Sequence, residues 1–106
     1  DGIQKINEQL KTEHYQQLHI VFGVVKDKDI DTIVELLPKN AIYYFTEPQI
    51  PRKLAAQQLY DKAQHHGLNG GVYPHPKDAL GVAKSQAGAE DLILVMGSFF
   101  VVNEIL

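Results

Sequence analysis

The chain has 106 residues, of which 44% are hydrophobic and 22% charged, and a formal net charge of -3. That length suits one domain with one ordinary core, and the composition is that of a folded chain rather than a disordered one. The charge balance gives no reason to expect a nucleic-acid partner, and with no cysteine there is neither a disulfide framework nor a thiolate zinc site.

No apolar run approaches the roughly 20 residues of a membrane span, so no membrane partner is expected. The first ten residues, DGIQKINEQL, form a polar amphipathic pattern and not a signal peptide. Together with the lack of cysteine, this makes a cytoplasmic location the expectation.

Ile3, Ile6 and Leu10 share one face of a helix from about Gly2 to Glu13, with Asp1 placed to cap it. Ile20 to Val25, apolar apart from Gly23, suits a strand buried on both faces. A charged corner follows, Lys26-Asp27-Lys28-Asp29. Next comes a helix carrying Ile30, Ile33, Val34 and Leu37, which Pro38 ends.

Ala41 to Phe45 is a second strand, leaving through the polar loop Thr46-Glu47-Pro48-Gln49-Ile50-Pro51. Pro51 suits the first turn of the next helix, which carries Leu54, Ala55, Leu59 and Ala63 inward and stops near Gly67. The glycine-rich Gly67 to Gly71 reads as a turn before a short Val72-Tyr73 strand. His75 opens a helix with Ala79, Leu80, Ala83 and Ala87 on its apolar face. Leu92 to Met96 is a fourth strand, and Gly97-Ser98 turns the chain into residues 99–106. That last segment reads as a helix, although its β-branched residues also suit a strand.

Strands and helices alternating at these intervals imply parallel pairing with right-handed crossovers. The expected fold is a Rossmann-like three-layer α/β/α domain with a mostly parallel sheet, occupying residues 1–106 as one unit. Such domains ordinarily begin with a strand, so the opening helix suggests that a first strand and more of a longer polypeptide lie upstream.

In an open parallel sheet the loops after the strands share one edge, where ligands bind. Those loops hold Asp27, Lys28, Arg52 and Ser98, and each has two readings. Asp27 or Asp29 caps the following helix, or Asp27 orients Lys28 or binds a hydroxyl while Lys28 meets a phosphate or carboxylate. Arg52, at a helix start where the dipole does not favour a cation, is a solvated surface residue or a bidentate carboxylate ligand. Ser98 is an N-cap, or it holds an anion together with the backbone N–H groups around it. His75 shares the edge and receives no role. There is no G-x-S-x-G, Walker A, G-x-G-x-x-G or H-E-x-x-H pattern. Neither a catalytic residue nor a metal ligand is therefore assigned.

The ordered set Phe22-Gly23-Val24-Val25-Lys26-Asp27-Lys28-Asp29, then Tyr44-Phe45-Thr46 with Pro51-Arg52, then Leu94-Val95-Met96-Gly97-Ser98-Phe99 resembles one known group. It is similar to the C-terminal domain of folylpolyglutamate synthase and of the bifunctional dihydrofolate synthase, in the Mur ligase superfamily. The resemblance implies an ATP-dependent, ADP-forming amide ligase. A central P-loop domain of the same polypeptide would bind ATP and Mg2+ and activate a folate or dihydropteroate carboxylate, which the amino group of L-glutamate then attacks. Position by position, it implies that Asp27 faces the nucleotide and that Lys28, Arg52 and Ser98 serve the glutamate. It also implies an Asp-x-x-His-Asn motif just ahead of Asp1. With the P-loop, the carbamylated lysine and the metal ligands of the family lying elsewhere, this chain alone is expected to be inactive.

Two other classes compete. One is the C-terminal domain of a peptidoglycan-building Mur ligase, with a different amino acid and a UDP-linked acceptor. The other is a free-standing α/β ligand-binding module. A phosphoacceptor receiver is disfavoured, because no adjacent acidic pair follows the first strand and no aspartate directly follows Tyr43–Phe45.

Overall fold

A computed structural model describes Asn7, Glu8, Leu10, Lys11 and residues 14–97. The expected helix over residues 2–13 falls largely outside the described residues, although Asn7, Glu8 and Leu10 are helical. The segment 98–106, with Ser98, lies outside them too.

Four strands form one sheet: β1 (Leu18–Gly23), β2 (Ala41–Phe45), β3 (Asn69–Val72) and β4 (Leu92–Gly97). Their order is β3-β2-β1-β4, and every pairing is parallel. The connections are α1 (Ile30–Leu36), α2 (Ala56–His65) and α3 (Pro76–Gln86). The three-layer α/β/α architecture expected from the sequence is the one observed.

The two-residue period of the strands sorts their side chains into two cores. Ile20, Phe22, Tyr43 and Phe45 pack with Ile30, Val34, Leu59 and Ala63, and so with α1 and α2. Val21 and Tyr44 project the other way, onto Ala79 and Ala83 of α3. All six residues of β1 are buried, which is why its sequence, His19 apart, is apolar without alternation.

Three boundaries differ from the sequence expectation. First, β1 runs from Leu18 to Gly23 rather than from Ile20 to Val25. It ends where Gly23 pairs with Gly97, which has φ +115°; a side chain at Gly97 would strike the Gly23 backbone. Second, Gly70 and Gly71 belong to β3 and not to a turn. Gly70 lies opposite Tyr43, and a Cβ at Gly70 would stand 2.8 Å from the Tyr43 Cβ, so glycine here permits close pairing. Third, α2 begins at Ala56 and not at Pro51.

His19 is buried in β1, 2% exposed. Its Nδ1 meets the Tyr44 hydroxyl at 2.8 Å and its Nε2 meets Asp91 Oδ2 at 2.9 Å. Tyr44 in turn donates to Gln86 Oε1 at 2.9 Å, so β1, β2, the entry to β4 and the end of α3 share one polar chain. The Gly88 N–H, and after it His19, hold the Asp91 carboxyl below its ordinary range. Such a network sits in low dielectric, where each broken link exposes an unpaired buried group. Tyr44→Phe, which removes only the shared hydroxyl, is expected to lower unfolding stability by about 1–3 kcal/mol in chemical denaturation.

Candidate functional site

The strand order places the topological switch beside β1. The chain builds outward from β1 through β2 to β3, then crosses by α3 to lay β4 on the opposite side. The carboxyl ends of β1 and β4 therefore flank the crevice where open α/β sheets bind ligands.

At the same carboxyl edge the loops after β1 and β2 are stitched together. Thr46 N–H donates to Phe22 O at 2.8 Å, continuing the β1–β2 pairing past its last registered pair. The β2 loop then doubles back. Lys53 forms an isolated antiparallel bridge with Val25, flanked by Lys26 N–H to Arg52 O at 2.8 Å and Leu54 N–H to Val24 O at 3.0 Å. This explains the late start of α2: the backbone groups of residues 52–54 are spent on pairing with the β1 loop. Arg52 therefore lies in a tight turn, closed by Lys53 N–H to Ile50 O at 3.2 Å, and not in the first turn of a helix.

The stitching brings two of the four sequence-predicted residues together. Arg52 Nη2 donates to Asp27 Oδ2 at 2.9 Å, and both side chains are 59% exposed. An ion pair so open to water is worth little to stability and yields readily to another carboxylate. Lys28 is exposed one residue further along the same turn. The choice of helix cap is settled for Asp29: Oδ1 accepts the Thr32 N–H at 3.3 Å and Oδ2 accepts the Thr32 hydroxyl at 2.7 Å. Those bonds lower the Asp29 carboxyl below its ordinary value. Asp27 is thus released from capping duty. Gln49, His75, Pro76 and Lys77 line an open depression of about 280 Å³ on the neighbouring stretch of the edge.

The sequence reading passed over Glu47. This carboxylate is 6% exposed; its Oε1 accepts the Ala56 N–H at 2.8 Å and its Oε2 pairs with Lys53 Nζ. Burial pushes its carboxyl upward, but the Ala56 N–H and the Lys53 ammonium outweigh that and hold it below 4.5. No sequence signal marked it, because the sequence starts α2 at Pro51; only the observed start after Ala55, a residue with no side-chain acceptor of its own, calls for a cap from elsewhere.

No helix among the described residues is long and apolar enough to cross a membrane. Nor is any group of three or more His, Cys, Asp or Glu side chains among them placed to hold a metal ion.

An all-parallel open sheet whose charged loops after β1 and β2 are paired at its carboxyl edge defines a Rossmann-like domain that presents a polar edge to ligands. Residues 1–99 match the family model described as Mur ligase, glutamate ligase domain, and the chain belongs to that family. It is 31% identical over 90 residues to the dihydrofolate synthase/folylpolyglutamate synthase of Buchnera aphidicola subsp. Schizaphis graminum, covering 85% of this chain and 21% of that protein. To the Bacillus subtilis protein of the same description it is 25% identical over 107 residues, covering 99% of this chain and 24% of the relative. Its fold is similar to Escherichia coli FolC in complex with DHPP and ADP, with TM-score 0.86, 27% identity and coverage of 97% of this chain and 24% of that one. The chain thus spans between a fifth and a quarter of the length of the proteins it matches.

The low Glu47 value carries a pH consequence. Its carboxylate contributes stability that is present above the unfolded value near 4.5 and lost as pH falls through the lower folded value. Glu47→Gln is expected to flatten, without abolishing, the acid limb of the stability–pH curve, since Asp29, Glu35 and Asp91 are also held low. Denaturant unfolding from pH 6 downward to about pH 3 measures it.

Proposed function

We propose that this chain acts as the glutamate-handling lobe of an ATP-dependent, ADP-forming ligase that adds L-glutamate to a folate or pteroate carboxylate. The observation carrying this reading is the backbone stitching of residues 24–26 to residues 52–54, which sets Arg52 against Asp27 at the carboxyl edge, with Lys28 exposed at the next position. Membership of the Mur ligase family and likeness to folylpolyglutamate/dihydrofolate synthases support it.

Glutamate arrives with two carboxylates and an amino group that must stay free to attack. A guanidinium fork suits one carboxylate and a mobile ammonium suits the other, so Arg52 and Lys28 take those parts. Asp27 exchanges partners as the ligand binds. It releases the guanidinium to the incoming carboxylate and turns to the nucleotide, whose ribose hydroxyls are donors it accepts from. Ser98 is assigned to the glutamate by the family resemblance alone.

ATP supplies the phosphoryl group that activates the acceptor carboxylate. Mg2+ and the phosphates belong, on this reading, to a P-loop domain of the same polypeptide, with a cytoplasmic location. This chain's part is to bind and orient the amino acid, which lowers the barrier by fixing the nucleophile against the activated carboxyl.

Isothermal titration of glutamate into the full-length enzyme, with ATP and folate present, tests the assignment. Arg52→Ala is expected to weaken glutamate binding by about tenfold to a hundredfold, the range for losing a charged hydrogen-bonded partner. Undiminished binding would overturn it.

A further inference from the structure

Among the described residues the acidic side chain most withdrawn from water is Glu47, and it lies at the candidate edge rather than in it. A carboxylate leaves water only where hydrogen bonds and a counter-charge replace the solvent. Glu47 has both, and they lie at two separate points of the loop that follows it. Oε1 takes the first N–H of α2, nine residues further on. Oε2 takes the Lys53 ammonium, six residues further on.

A local cap such as Asp29 orders one helical turn. Glu47 instead ties the exit of β2 to the entry of α2, and so closes the whole of residues 48–55 into a loop of fixed span. Arg52 lies inside that loop, next to one of the two tethered residues. The contacts separate the two neighbouring cations: Lys53 turns to buried Glu47, while Arg52 turns to Asp27 on the exposed edge. With Lys53 paired to Glu47, Arg52 is left as the loop's cation on the exposed edge.

We infer that Glu47 is a positioning residue for Arg52, setting the affinity of the edge for a ligand carboxylate by holding the loop that presents the guanidinium. The inference rests on the reading of Arg52 as the glutamate ligand. Glu47 itself touches no substrate. It acts through the Lys53 and Ala56 tethers, leaving the chemical step to other groups.

A double-mutant cycle in the full-length enzyme, with glutamate as the varied substrate, tests this. Glu47→Gln keeps an oxygen for the Ala56 N–H but releases Lys53. It is expected to raise the KM for glutamate by about tenfold while kcat at saturating glutamate changes by less than about twofold. In an Arg52→Ala background the same substitution should add nothing further, because the group it positions is gone. Lys53→Met breaks the clamp from its exposed side and should raise KM likewise, with the melting transition still cooperative, so a folding defect in one variant leaves the other to decide. The inference is overturned if the Glu47→Gln and Arg52→Ala effects multiply independently, if the loss falls on kcat, or if neither Glu47→Gln nor Lys53→Met moves KM. An Arg52→Ala enzyme with normal KM overturns the reading of Arg52 instead, a pattern distinct from each of these.

Discussion

The site depends on a short piece of backbone pairing that belongs to no regular element. Val25 and Lys53 are separated by a full helix and strand, yet their bridge sets one loop on top of another at the open edge of the sheet. Two backbone hydrogen bonds flank it, from Lys26 to Arg52 and from Leu54 to Val24. Remove those bonds and Asp27 and Arg52 would be two solvated charges on independent loops. With them, a weak and exposed ion pair has a defined place at the edge.

Beneath that edge the fold supplies rigidity in graded amounts. The centre of the sheet is dry on both faces, and β1 is buried along its whole length. At the opposite edge, around His19 and Asp91, a polar chain joins three strands and a helix end without any exposed charge pair. Toward the ligand edge the interactions become wetter, from the buried clamp of Glu47 to the open pair of Asp27 and Arg52. This ordering leaves the frame firm and the rim easy to rearrange, since exposed pairs are cheap to break and buried ones are not.

The division of labour among the acidic residues follows from the same gradient. Asp29 is committed to Thr32 and the start of α1. Glu47 is committed to Ala56 and Lys53. Asp27 alone of these three is held only by a partner that a ligand can displace. Three carboxylates that look interchangeable in composition are thus distinguished by what their hydrogen bonds cost to replace.

The alternation of apolar strands with amphipathic helices was sufficient by itself to fix the architecture, because a parallel strand buried on both faces leaves a continuous apolar run that little else produces. The family resemblance was likewise legible, through the ordered loops of Lys26–Asp29, Pro51-Arg52 and Gly97-Ser98. Periodicity could not see pairings between residues far apart in sequence. The antiparallel return of residues 52–54 moved the start of α2 to Ala56, and the close approach of Tyr43 turned Gly70 from a turn residue into a strand residue. Which aspartate caps α1, and that Glu47 closes the Arg52 loop, were decided by tertiary structure alone. A carboxylate's role depends on which donors reach it in space, and sequence spacing reports those donors only when they lie within a turn of the same helix.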